Sequence, residues 1–161
     1  MKRRAPNDSR TAGLVIGWGN ELLGDDAAGR RVAQTLEAEG APGVEVVDIH
    51  QLTPELALRI AETHRVIFVD ACSAVKDGAI RVEPIYAGEG EDQPGVGHTG
   101  RPQDLLAMAA ALYEAHPEAW LIAVPARSFE ACEALSESAE AGVRDAVEAA
   151  KRLLARGPVS S

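Results

Sequence analysis

The chain has 161 residues, with 16 Lys plus Arg against 25 Asp plus Glu, a formal net charge of −9, 46% hydrophobic residues and 4% aromatics. This length fits one globular domain, and an acidic balance with few rings excludes a general nucleic-acid binder, which needs clustered cations and stacking surfaces. No uncharged run reaches the roughly 20 residues of a membrane span, and the composition is too apolar for a disordered chain.

Met1-Lys2-Arg3-Arg4 looks like the start of an export signal. Polar Ala5 to Arg10 follows, and the next apolar stretch, Leu14-Val15-Ile16, is too short for a signal core. We expect a disordered tail over 1–10, one domain over 11–157 and a cytoplasmic protein. Leu14–Ile16 reads as a short buried strand, with Gly17-Trp18-Gly19-Asn20 as the turn after it. A helical pattern runs from Ala27 through Val32, Ala33 and Leu36, stopped by Gly40 and Pro42. Val44–Asp48 is a second strand. Thr53-Pro54-Glu55 opens a helix whose apolar face is Leu56, Ile60 and Ala61.

Val66-Ile67-Phe68-Val69-Asp70 is apolar until its last residue, the pattern of a strand buried on both faces. Ala79–Glu83 alternates like an edge strand. Residues 86–100 are Gly-rich without periodicity, and loops this long are functional or disordered. A helix then places Leu105, Met108, Ala109 and Leu112 on one face. Trp120–Val124 is a further central strand. The last helix starts near Ser136, runs through Val143, Val147 and Leu154, and carries Lys151, Arg152 and Arg156 in its final turns, where cations suit the dipole. Strands alternating with helices predict an α/β fold: an open, mostly parallel sheet with helices on both faces.

Such sheets bind ligands beyond the carboxyl ends of their strands. That rule selects the turn after the first strand, Asp48 to His50 after the second, and Asp70 to Ser73 after the third. Gly17-Trp18-Gly19 lacks the third glycine of a dinucleotide fingerprint, because Leu22 stands there. Asp48 as a ribose-binding acid keeps a nucleotide or small-ligand module open as an alternative. Gly19–Gly24 has the spacing of a phosphate loop, but Asp25-Asp26 replaces the cation and hydroxyl it needs. This loop repels phosphate and attracts metal ions.

Asp25 and Asp26 also suit helix capping, one capping while the other faces the cleft. Asp70, closing a hydrophobic strand, calls for a partner or a ligand. Among the four histidines, His64 and His116 precede strands in polar surroundings, His50 is ambiguous, and His98 lies in the long loop, which could carry it over the cleft. Two carboxylates and an imidazole suit a borderline divalent metal with open positions. Cys72 and Cys132 form no CxxC pair and read as buried thiols; no GxSxG elbow is present. Trp18 either walls the cleft or packs.

Gly17-Trp18-Gly19-Asn20 with Leu23-Gly24-Asp25-Asp26-Ala27-Ala28-Gly29 resembles the opening motif of the hydrogenase maturation proteases. Asp48 to Leu56, Val66 to Ala71, and His98 followed by Leu105-Leu106 are similar to the family's later motifs, in the same order, over about residues 12–155. The resemblance implies a three-layer α/β/α, phosphorylase/hydrolase-like fold. It implies an endopeptidase that removes the C-terminal extension of a nickel-iron hydrogenase large-subunit precursor after nickel insertion. The metal, nickel delivered by the substrate or another divalent ion in its place, would be recognised by Asp26, Asp70 and His98. Asp26 or Asp70 would assist catalysis as base, and Gly19, Asn20, Asp25 and Asp48 would contact substrate. Glu21, Ala27, Cys132 and Ala134 depart from the residues frequent in the family; a divergent or inactive relative is the reading they leave open.

Overall fold

The computed structural model describes residues 8–73, 75, 78–89, 100–129 and 134–157. In chain order these form β1 (Gly13–Trp18), a 3-10 turn (Gly24–Ala27), α1 (Ala28–Glu39), β2 (Val44–Ile49), α2 (Leu56–Ala61) and β3 (Arg65–Cys72). There follow β4 (Arg81–Pro84), α3 (Pro102–Tyr113), β5 (Glu118–Pro125) and α4 (Glu137–Leu154). One sheet results, in the order β2-β1-β3-β5-β4. The pairs β1–β2, β1–β3 and β3–β5 are parallel, and β4 runs antiparallel along β5. The mostly parallel α/β sheet expected from the sequence is the one observed.

Side chains alternate across a strand, so each central strand feeds two cores. Val15, Ile67, Val69, Ile122 and Val124 pack with Val32 and Leu36 of α1 and Val143, Val147 and Leu153 of α4. Leu14, Ile16, Val66 and Phe68 pack with Leu56 and Ile60 of α2 and Leu105, Leu106 and Ala109 of α3. The result is three layers, helix on sheet on helix. Trp18 packs: its ring meets Phe68 edge to face, with centroids 6.2 Å apart.

Several elements differ in detail from the sequence reading. The helix expected from Ala27 begins as the tighter 3-10 turn and becomes α-helical at Ala28. Residues 54 and 55 form a turn, and α2 starts only at Leu56. In α3 the buried stripe is Pro102, Leu105, Leu106 and Ala109, spaced i, i+3, i+4, i+7, and it ends there. Leu112, expected on that stripe, is 64% exposed beside exposed Tyr113, because none of the described residues covers the helix's last turn. Likewise Leu153 rather than Leu154 is the buried residue near the end of α4. Cys72 is half-buried rather than buried, and Cys132 lies outside the described residues.

The end of α4 is tied to the start of β3. Arg65 is 5% exposed. Its Nη1 donates to the carbonyls of Leu153 at 2.8 Å and Arg156 at 3.2 Å, and Nη2 to that of Gly157 at 3.2 Å. Its Nε pairs with Glu118. One guanidinium thereby satisfies carbonyls that a helix end leaves without partners.

Candidate active site

Parallel pairing brings the carboxyl ends of β1, β2, β3 and β5 to one edge of the sheet, and glycines let α1 descend onto it. A Cβ on Gly17 would stand 2.1 Å from the Gly29 carbonyl oxygen, and one on Gly29 would stand 2.3 Å from that of Val69. The first turn of α1 therefore lies directly on the exits of β1 and β3. Gly19 has φ +146°, in the region that L side chains rarely adopt, and a Cβ there would be 1.9 Å from the Asp26 carbonyl. Its N–H points to the carbonyls of Ile49 at 3.3 Å and His50 at 3.2 Å, joining the exits of β1 and β2. Ala27, where the related motif often has glycine, has φ −78° and needs none.

These close approaches put Asp26 beside Asp70. The Asp26 carboxylate is held by the backbone N–H of Asn20, which donates to Oδ2 at 2.7 Å. Asn20 in turn accepts the Leu22 N–H on Oδ1 at 2.9 Å, which stiffens the turn. Burial pushes the Asp70 carboxyl up from 3.8 to about 7; a hydrogen bond from the Ala71 backbone acts against this and the negative charge of Asp26 adds to it. A carboxyl in that range exchanges protons near neutral pH, as a general acid or base must. Like charges brought this close also create a place where a cation is welcome.

Asp25, the neighbouring acid, is 0% exposed. It accepts the N–H groups of Arg127 at 2.7 Å and Ser128 at 3.1 Å on Oδ2, and that of Ser136 at 2.7 Å on Oδ1. The Ser136 hydroxyl donates a fourth bond, 2.7 Å long, to Oδ2. Burial pushes this carboxyl up, but the bonds from Ser136, Arg127 and Ser128 outweigh it and hold it below the ordinary range. Neither Asp25 nor Asp26 caps the helix it precedes. Each bonds N–H groups of another segment instead, so the capping reading is corrected.

Asp48 ends up outside the pair. Arg30 Nε donates to its Oδ1 at 2.5 Å and Gln34 Nε2 to its Oδ2 at 2.9 Å, both from α1. Glu21 joins the same network through Gln34 at 2.9 Å. His98 lies outside the described residues, as do residues 90–99 as a whole. Among the described residues no group of three or more His, Cys, Asp or Glu side chains could hold a metal ion. Asp26 and Asp70 contribute two oxygen-donor groups, which suit a divalent cation but do not by themselves complete a site. His50 is exposed, and His64 donates to Asp8 at 2.8 Å, far from this edge.

Sequence reasoning missed the partners of Asp25 and Asp48. Arg30 and Gln34 stand four residues apart on one helix face, a signal that was legible. The Asp25–Ser136 contact spans 111 residues and has no local signal.

Comparison with known proteins gives a consistent result. No family model matches the sequence, and no curated protein does. Among solved structures, the hydrogenase maturating endopeptidase HybD from E. coli superposes with a TM-score of 0.71 at 25% identity, over 89% of this chain and 91% of that one. The hydrogenase maturation protease HybD from Thermococcus kodakarensis gives 0.71 at 26% identity, over 89% and 99%. A hydrogenase 2 maturation peptidase from a Thaumarchaeota archaeon gives 0.67 at 27% identity, over 89% and 98%. The chain shares the α/β fold of these endopeptidases across most of its length, as its motifs suggested.

Proposed function

We propose that this protein is an endopeptidase that removes the C-terminal extension of a nickel-iron hydrogenase large-subunit precursor after nickel insertion. The observation that carries this reading is the Asp26–Asp70 pair, at the exits of β1 and β3, on a fold shared with hydrogenase maturation endopeptidases. Nickel enters as part of the substrate, and Asp26, Asp70 and His98 recognise it. A divalent ion held by these residues would supply Lewis-acid polarisation of the peptide carbonyl. Asp70 takes a proton from the attacking water as the new C–O bond forms. It returns that proton to the amide nitrogen as the C–N bond breaks, acting first as general base and then as general acid. Gly19 and Asn20 shape the turn that holds Asp26, and their backbone borders the peptide.

The neighbours' names supply the substrate class; the carboxylates supply the chemistry. No helix among the described residues is long and apolar enough to cross a membrane. The test is incubation with purified, nickel-loaded precursor, with intact-mass spectrometry of both products. The reading expects loss of a C-terminal peptide with wild-type protein, and its absence with Asp26→Ala, Asp70→Ala or His98→Ala. It also expects each variant to bind Ni²⁺ more weakly than wild type in calorimetric titration. An uncut precursor with wild-type protein, or full cleavage by all three variants, overturns it.

A further inference from the structure

We propose that Asp25 is a positioning residue for Asp26, fastening the turn that carries it to the exit of β5 and the start of α4. The inference rests on reading Asp26 as a site residue, and it names a residue whose contribution passes through another. Beside the packing of α1 on the strand exits, two hydrogen-bonded restraints hold Asp26 in its own neighbourhood. One is the Asn20 N–H on its carboxylate, and the other is the 3-10 turn that carries it. That turn spans only four residues, and no side chain caps its start. The residue just before Asp26 ties the turn to a different part of the fold.

Asp25 is anchored on both its backbone and its side chain. Its N–H donates to the Ser128 carbonyl at 2.8 Å, while its carboxylate accepts the Ser128 N–H at 3.1 Å. This reciprocal pair locks the turn against the β5 exit. Ser136 adds a second attachment, and its hydroxyl does two jobs at once: it donates to Asp25 at 2.7 Å and accepts the Ala139 N–H at 3.2 Å as the cap of α4. Three backbone N–H groups from segments that no strand pairing would satisfy thus converge on one buried carboxylate. An amide cannot replace it, because its NH₂ would face a donor. Loosening the anchor frees the turn to shift. Displacements of about 1 Å at a reacting group cost up to about 100-fold in rate.

The experiment compares Asp25→Asn and Ser136→Ala with Arg65→Met, which loosens the end of α4 at the opposite edge of the sheet and serves as the stability control. Three quantities are read under conditions where each variant is folded: kcat and KM for precursor cleavage, affinity for Ni²⁺ alone, and hydrogen exchange of the Asn20 amide. For Asp25→Asn we expect kcat to fall about 10- to 100-fold with KM within about threefold. Ni²⁺ affinity should drop in the same direction, and the Asn20 amide should exchange faster than global unfolding explains. Ser136→Ala should show the same pattern at smaller amplitude, and it carries the test if Asp25→Asn does not fold. Arg65→Met should leave kcat and Ni²⁺ affinity at wild-type values, with Asn20 exchange no faster than its own global unfolding explains. Wild-type Asn20 exchange and kcat in folded Asp25→Asn or Ser136→Ala, or equal losses in Arg65→Met, overturn the proposal. Amide exchange reports on the Asp26–Asn20 bond without any catalysis, so a protein that cleaves no precursor would fail the protease reading and still decide this one.

Discussion

Replacing Asp70 by asparagine should stabilise the protein, and the gain should appear only as the pH rises. In the unfolded chain the carboxyl titrates at its ordinary value of 3.8; in the folded protein burial raises it to about 7. A raised carboxyl means that the native state holds its proton more tightly than the unfolded state does. Below pH 4 both states are protonated and the group is neutral in its effect. Between pH 4 and 7 the unfolded state loses the proton first, so stability falls by about 1.4 kcal/mol per pH unit. Above pH 7 the whole cost is present, on the order of 4 kcal/mol. Asparagine keeps the shape and removes the charge.

Urea unfolding of metal-free wild type and Asp70→Asn at pH 4.5, 6 and 8 isolates this difference, because other titrating groups cancel between the two. The advantage of Asp70→Asn should be about 1 kcal/mol at pH 4.5 and reach about 4 kcal/mol at pH 8. A difference that stays flat across this range, or a wild type that is the more stable at pH 8, refutes the account of Asp70 as a half-buried, desolvated carboxyl. The same substitution should abolish precursor cleavage, so one residue is expected to trade stability for activity.

Gly29→Ala would force a methyl to within 2.3 Å of the Val69 carbonyl oxygen, a backbone atom that cannot swing aside, so chemical denaturation should register a loss of about 3 kcal/mol or more. Arg65→Met leaves Glu118 without its guanidinium partner and removes one donor from each of the Leu153, Arg156 and Gly157 carbonyls. It should cost about 2–4 kcal/mol in urea unfolding, with part recovered by adding Glu118→Leu. Leu105→Ala and Leu112→Ala separate the observed face of α3 from the expected one. The first removes a fully buried side chain and should cost about 2–4 kcal/mol, whereas the second, at an exposed position, should stay within about 0.5 kcal/mol.

The order of strands and helices was legible in the sequence because it is written in local periodicity. Leu14–Ile16, Val66–Val69 and Trp120–Val124 could be little else than strands of a covered sheet, and Ser136 marked the start of α4 eight elements after the turn it is bonded to. Position at strand exits likewise marked the Asp25-Asp26 pair and Asp70 before any geometry was known, and the family resemblance pointed to Asp26 within the pair. Boundaries were less legible: whether Leu112 or Leu106 faces inward depends on where α3 meets the sheet, which the helix's own sequence does not contain.

By itself, then, the sequence determined the layers, the glycines that let α1 sit on the strand exits, and the edge at which acidic residues gather. Only the tertiary structure showed what physically distinguishes the two adjacent aspartates. Asp25 turns inward to donors 102 to 111 residues away, while Asp26 stays at the cleft and shares its charge with Asp70. The physical reason is that side-chain periodicity is a property of neighbours along the chain. A carboxylate's hydrogen bonds and its affinity for a proton are set by whatever the strand order, β2-β1-β3-β5-β4, brings against it.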